Sequence, residues 1–302
     1  PLPYGVSYNS YLIDDEMVAL VDTVDICYFE VYLRKIKQVI GERPINYLII
    51  NHMEPDHSGS IRLIKQHYPG IIIVGNKQTF GMIEGFYGVT GEQYLVKEGD
   101  FLALGHHKLR FYMTPMVHWP ETMMTFDETD GVLFSGDGFG CFGTVDGGFL
   151  DTRINVDKYW GEMVRYYSNI VGKYGSPVQK ALQKLGGLPI SAICSTHGPV
   201  WTENIAKVIG IYDRLSRYDA DEGVVIAYGS MYGNTEQMAE AIAEELSAQG
   251  VKNIVMHNVT KSHPSYIIAD IFRYKGLIIG SPTYSNQIFP EVEALLSKIL
   301  LR

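Results

Sequence analysis

The sequence predicts a layered α/β protein made of two units, and three observations carry this. Up to about residue 218, short apolar runs of strand length come in clusters, with helical patterns between and outside them. That arrangement suits two packed sheets covered by helices, an αββα sandwich. From Val224 onward, strand and helix alternate one for one, which gives a doubly wound parallel sheet. Between the two lies Asp219-Ala220-Asp221-Glu222-Gly223, short, polar and acidic. Residues 1–218 and 219–302 are therefore read as separate domains.

The elements follow in order. Ser7 to Ile13 looks strand-like, and Tyr11-Leu12-Ile13 and Val18 to Asp22 read as strands joined by the acidic turn Asp14-Asp15-Glu16. Phe29 to Ile40 carries apolar residues at helical spacing, with Gly41 as C-cap. Ile45 to Ile50 is a short apolar run, hence a strand; Ser58 is read as the N-cap of a helix running to about Tyr68. Ile71 to Val74 is continuously apolar, as a fully buried strand is, and Lys77 to Phe86 is a short helix. Phe101–Leu104 and Leu109–Tyr112 form one hairpin. Met123–Phe126 and Val132–Phe134 form another, turned at Asp130-Gly131. Asp157 to about Leu185 is helical, broken near Gly172–Gly175. Ala192-Ile193-Cys194 is a strand, and Glu203–Tyr218 a closing helix. In the second unit, strands at Val224–Tyr228, Asn253–Met256 and Gly276–Gly280 alternate with helices at Glu236–Gln249 and Ser265–Tyr274.

Composition narrows the function classes. Hydrophobic residues make up 46% and charged ones 20%, which is globular rather than disordered. The net charge of −9 argues against nucleic acid as partner. No window is long and apolar enough to span a membrane. Cys27, Cys141 and Cys194 are odd in number and far apart, so they outline no disulfide framework and suit a reducing cytoplasm. The chain opens at Pro1 without Met and ends at Arg302 inside a helical pattern, and both ends read as truncations.

The chemistry concentrates in Asn51-His52-Met53-Glu54-Pro55-Asp56-His57-Ser58-Gly59. His52, Glu54 and Asp56 alternate, and His57 follows at once, in a loop between a strand end and a helix. Pro55 stiffens this loop by fixing φ. His118, Asp137 and His197 each stand where a further apolar strand stops. Such strand ends converge in layered α/β folds. A lone His at a strand end is usually a hydrogen-bonded core residue, but seven residues of ligand type in this order are not a lone His. Asp56 has two readings, a ligand or a cap on the following helix. Trp119 reads as packing beside a ligand, and Cys141 as a small buried residue. His106 and His107 read as a solvated turn, and His67, His257 and His263 as surface residues.

The order and spacing of these residues resemble the metallo-β-lactamase fold. Zinc hydrolases of that fold usually carry His-x-His-x-Asp-His, whereas Glu54 stands here at the second His. That exchange, with Asn-His-x-Glu-x-Asp-His-Ser-Gly and His118-Trp119-Pro120, looks like the flavodiiron proteins, or A-type flavoproteins, over essentially the whole chain. The resemblance implies two irons. His52, Glu54, His118 and Asp137 would hold one; Asp56, His57, Asp137 and His197 would hold the other, with Asp137 bridging. In some members of the family the last His of the loop does not ligate. Imidazole with carboxylate suits iron or manganese. The resemblance also implies a further strand-bearing segment before Pro1 and the rest of a flavodoxin domain after Arg302.

Two loops of the second unit suit a flavin. Ser230-Met231-Tyr232-Gly233-Asn234-Thr235 joins a buried strand to a helix and offers hydroxyls and backbone N–H groups to a phosphate. It lacks GK[ST], so it is no triphosphate loop. It resembles the flavodoxin FMN phosphate loop. Ser281-Pro282-Thr283-Tyr284-Ser285-Asn286 lies at the same sheet edge, with Tyr284 as a candidate stacking ring.

Three functions compete. The first is a flavodiiron oxidoreductase that reduces O2 to water, NO to N2O, or both. It takes electrons from rubredoxin or a similar small donor and works as a head-to-tail homodimer or a dimer of dimers. The second is a zinc-dependent hydrolase of the metallo-β-lactamase fold. The third is an electron carrier with a decayed metal site, against which the complete ligand set argues.

Overall fold

A computed structural model describes residues 2–301. The first sheet contains β1 (Tyr11–Ile13), β2 (Ala19–Val21), β3 (Tyr47–Ile49), β4 (Ile72–Gly75) and β5 (Gln93–Leu95), in that order. Only the β1–β2 pair is antiparallel. Helices α1 (Phe29–Ile40), α2 (Pro55–Ser58), α3 (Ile61–His67) and α4 (Lys77–Tyr87) connect these strands. On α1, Phe29, Leu33, Ile36 and Ile40 recur at helical spacing and are buried against the sheet.

The second sheet runs β10-β9-β8-β7-β6, from β6 (Phe101–Ala103), β7 (Lys108–Met113), β8 (Met123–Asp127), β9 (Val132–Gly136) and β10 (Ala192–Ser195). It is antiparallel except for β10, which pairs parallel with β9. Helices α5 (Asp157–Tyr166), α6 (Gly175–Leu185) and α7 (Ile205–Ser216) follow β9 and β10 in the chain and belong to one core with them. Ile49, Val74, Phe111 and Phe134 pack between the sheets, which completes the αββα sandwich.

The second unit contains β11 (Asp221–Tyr228), α8 (Asn234–Ala248), β12 (Ile254–Asn258), α9 (Pro264–Arg273), β13 (Tyr274–Gly280), a hairpin of β14 (Thr283–Tyr284) and β15 (Gln287–Ile288), and α10 (Pro290–Ile299). Its main sheet has the order β12-β11-β13, all parallel. The chain reverses direction through the sheet beside β11, the switch point at which doubly wound folds bind ligands. Helix α9 sits on α5 of the first unit: Arg165 donates to Ser265 Oγ at 3.0 Å, and Asn169 Nδ2 to the Ser265 carbonyl at 3.0 Å.

Several sequence expectations change. Ser58 does not cap the following helix. Pro55 starts a helical turn earlier, as proline at a first helical position does, and the Ser58 hydroxyl bonds back to the Met53 and Glu54 carbonyls. Ser60 is the cap position of α3. Asp56 and His57 therefore lie on a short helix rather than in a loop. Residues 7–10 are not strand, because Asn9 is drawn across to the Ser195 and Gly198 carbonyls. The break after α5 begins at Tyr167, in a π-turn. There Asn169 Nδ2 and Ser168 Oγ both take the Arg165 carbonyl. Strand β5 was not expected; its three residues are all exposed and show no alternation. Asp221, Glu222 and Gly223 are not linker but the start of β11, so the connection is only residues 217–220. Among the described residues, no helix is long and apolar enough to cross a membrane.

Candidate metal centre and cofactor loops

Three of the four ligand-bearing segments begin at the C-terminal ends of strands: the His52–His57 segment after β3, Asp137 after β9 and His197 after β10. His118 sits in the loop between β7 and β8. The structure brings all seven together. Asp137 is the centre, buried, with each of its two oxygens near a different pair of histidines. Oδ2 is 3.1 Å from His118 Nε2 and 3.6 Å from His52 Nε2. Oδ1 is 3.0 Å from His57 Nε2 and 3.7 Å from His197 Nε2. Glu54 Oε2 closes the first half, 3.1 Å from His118 and 3.4 Å from His52. Asp56 Oδ2 closes the second, 3.3 Å from both His57 and His197. Each half can offer one ligand atom per residue at a common point. Glu54 and Asp56 are the most exposed members, with side chains 37% and 24% accessible, and mark the open side of the site.

The donors fit metal ions. His52 Nε2, both ring nitrogens of His57 and Asp56 Oδ1 are buried without a partner in hydrogen-bond geometry. Buried polar atoms rarely go unpaired, and nitrogen lone pairs facing carboxylates need a cation between them. In metal-free protein, a proton on His52 supplies part of that charge. Burial by itself would pull His52 down, but the Asp137 charge and the Glu121 and Glu54 carboxylates raise it to about 10. Burial would raise Glu54, yet bonds from His118 and His52 bring it to about 2. Asp137 is likewise pulled well below the usual carboxylate range, as His57 and His118 overcome its burial. A metal ion would displace that proton.

The second unit presents two loops from neighbouring strand ends, since Tyr228 of β11 lies in register with Gly280 of β13. In the first, Gly233 adopts φ +88 and opens α8 at Asn234. Ser230 Oγ accepts the N–H groups of Gly233 and Glu236, at 3.1 and 3.4 Å. The first-turn N–H groups of α8 have no carbonyl four residues back, an arrangement that suits an anion. The second loop is a hairpin rather than an open loop. Ser285 and Asn286 take φ +48 and +61, the left-handed pair a two-residue turn needs. Tyr232 and Tyr284 are 85% and 46% exposed, bare rings beside the two loops.

The model for the "ODP family beta lactamase" matches residues 6–198, and the "Flavodoxin" model matches residues 226–300. Rubredoxin oxygen:oxidoreductase from Desulfovibrio gigas superposes with a TM-score of 0.95 at 31% identity, over 99% of this chain and 75% of that one. The flavodiiron protein from Giardia intestinalis gives 0.94 at 29%, over 98% and 72%.

The chain belongs to the flavodiiron protein family.

The anaerobic nitric oxide reductase flavorubredoxin of Vibrio vulnificus strain YJ016 is 33% identical over 300 residues, which is 98% of this chain. The chain spans 60% of the length of that curated relative. For a flavodiiron family member the hydrolase alternative is not favoured, because the residues after 226 match the flavodoxin model.

Three residues near the site escaped sequence reasoning. Glu121, fully buried, places Oε1 2.9 Å from both His52 Nδ1 and the Met53 N–H. Its signal was visible in His118-Trp119-Pro120-Glu121. His197 Nδ1 donates to the Ser7 carbonyl at 2.7 Å, a contact between residues far apart in the chain that leaves no local trace. Tyr166 is buried with its ring 5.6 Å from His197, and its hydroxyl has no partner. Burial and the Asp137 charge hold that hydroxyl well above its ordinary pKa. Trp119 packs edge-on to His52 at 5.3 Å, as expected. Cys141 is buried and all three cysteines are free. His257 is not a bare surface residue, since it lies 2.8 Å from Asp270 Oδ2. His107 meets Asp127 Oδ2 at 2.8 Å, so it too is paired. His263 is the cap position of α9 and accepts the Ser265 N–H.

Proposed function

We propose that the chain is the catalytic part of an oxidoreductase that reduces O2 to water, NO to N2O, or both, at a non-haem diiron site fed by FMN. The observation that carries this is Asp137, whose two oxygens each face a separate set of donors. His52, Glu54, His118 and Asp137 Oδ2 would hold one iron; Asp56, His57, His197 and Asp137 Oδ1 would hold the other. When bound, the iron pair would supply electrons to a diatomic molecule and FMN would supply electrons to the pair. The protein's own work is positional. Asp137 sets the spacing of the two halves. Glu54 and Asp56 border the open side through which a small gas reaches the centre. Tyr166 lends the wall beside His197 a hydroxyl committed to no other group. Residues 230–235 would hold the FMN phosphate, and Pro282, Thr283 and Tyr284 with the Ser285-Asn286 turn would border its ring.

Rubredoxin or another small redox protein is the proposed donor. A cytoplasmic setting suits the three free thiols. The four-residue connection and the Arg165–Ser265 contact restrict movement of the second unit on the first. A head-to-tail homodimer, or a dimer of dimers, would set each flavin beside the partner's irons. Full-length protein should contain two irons and one FMN per chain and turn over O2 or NO when both are tried side by side. Zinc alone, or hydrolase activity without gas turnover, would sink this reading. For the dimer, a variant disabled at His52 and Glu54 is co-expressed with one disabled at Ser230 and Thr235. Heterodimers should regain activity at one shared site; dead heterodimers would place electron transfer within one chain.

A further inference from the structure

The two halves of the metal centre look alike by ligand type, but what stands behind them is not alike. His52 Nδ1 meets Glu121 Oε1 at 2.9 Å. A carboxylate only accepts, so Nδ1 of His52 carries a proton toward Glu121, and the Nε2 lone pair is the one left for a metal ion once the second ring proton is displaced. Glu121 is fully buried, and its second oxygen has no hydrogen-bond partner among the described residues. Besides His52, the described contacts of this carboxylate comprise one backbone N–H, from Met53. In the other half, His197 Nδ1 leans on the neutral Ser7 carbonyl, and His57 Nδ1 is buried with no partner. The shared carboxylate is biased the same way. The Thr196 hydroxyl donates to Asp137 Oδ1 at 2.6 Å and draws charge from the oxygen that serves the His57 half. Oδ2, which faces the His52 half, receives no such bond from a hydroxyl or backbone N–H among the described residues.

We infer that Glu121 is a positioning residue that makes the two metal positions unequal, so that the His52 half binds its ion first and more tightly. A carboxylate behind a ligating imidazole raises its basicity and fixes its ring, and removing such a partner typically costs about 10–100-fold in affinity. A bond to one carboxylate oxygen lowers the donor strength of that oxygen, which weakens the His57 half. This inference rests on the two-metal reading of the site and goes beyond it by ranking the halves.

The test is anaerobic titration of the full metal-free chain with ferrous iron, followed by calorimetry and by Mössbauer spectra at one and two equivalents of 57Fe. Wild type should bind in two steps, with one spectral species at one equivalent. Glu121→Gln keeps the shape and the hydrogen-bond acceptor but removes the charge. It should weaken the tight step about 10–100-fold and leave the other unchanged. If both steps weaken alike, or neither does, the inference fails while two-metal binding stands. A wild type that takes up fewer than two irons refutes the two-metal reading itself, and the ranking with it. Should Glu121→Gln not fold, His52→Ala and His197→Ala decide. The first must abolish the tight step and the second the weak one, and the reverse order overturns the ranking.

Discussion

Replacing Asp137 by Asn changes one atom at the centre of the site and tests how the halves are joined. Asp137 is buried, with a histidine nitrogen 3.0 Å from one oxygen and 3.1 Å from the other. The Thr196 hydroxyl donates to Oδ1 at 2.6 Å. It selects the orientation of the new amide, with the carbonyl on the Thr196 side and the NH2 toward His52, His118 and Glu54. That half then faces a donor where it had a lone pair. The other half keeps an oxygen without its negative charge. Removing one partner of a buried charged pair costs about 3–5 kcal/mol. At about 1.4 kcal/mol per tenfold, this weakens metal binding by roughly two to nearly four orders of magnitude. The variant should fold, hold at most one iron per chain and place it on the His57–His197 half. Elemental analysis, circular dichroism and an anaerobic ferrous titration read these outcomes. Two irons bound within about threefold of wild-type affinity would refute the bridging role and the energetic argument together.

The metal-free protein should lose stability as pH rises from 7 toward 10. His52 is raised above its unfolded value to about 10, so its contribution is complete below about 6.5 and disappears through the folded pKa. Thermal melting against pH should show this fall without metal and a much flatter curve with ferrous iron bound, because the ion replaces the protons; identical curves would contradict the electrostatic reading. Gly198 holds φ +86 directly after His197, and a Cβ there would lie 2.4 Å from Cys141 Sγ. Gly198→Ala should cost about 2–5 kcal/mol in urea unfolding, from backbone strain and overpacking together, and Cys141→Ala should restore only the packing part. Ser230→Ala with Thr235→Ala should weaken FMN binding to the full-length protein, by about 1–3 kcal/mol for each satisfied donor or acceptor lost. Flavin fluorescence titration measures it, and unchanged affinity would show that the phosphate sits elsewhere.

Much of the candidate site was legible in the chain because ligand-type side chains are written in residue type and order. His52, Glu54, Asp56 and His57 stand within six residues, and His118, Asp137 and His197 each follow a recognisable apolar run. The alternation after Val224 likewise disclosed a parallel sheet, because a right-handed crossover leaves its period in the sequence. Local reading failed where a nearby contact outweighed propensity. Ser58 looked like a cap, but proline three residues earlier started the turn first. Asp221 and Glu222 looked like linker, yet the parallel partner Tyr274 drew Asp221 into β11. What only the tertiary structure decided is the division of labour inside the centre. Which oxygen of Asp137 serves which half, and which groups stand behind His52 and His197, depend on contacts spanning 69 residues for His52–Glu121 and 190 for His197–Ser7. No pattern in the neighbouring sequence records such pairings, because they are set by how two sheets close on each other, and the charge asymmetry of the metal site follows from that closure.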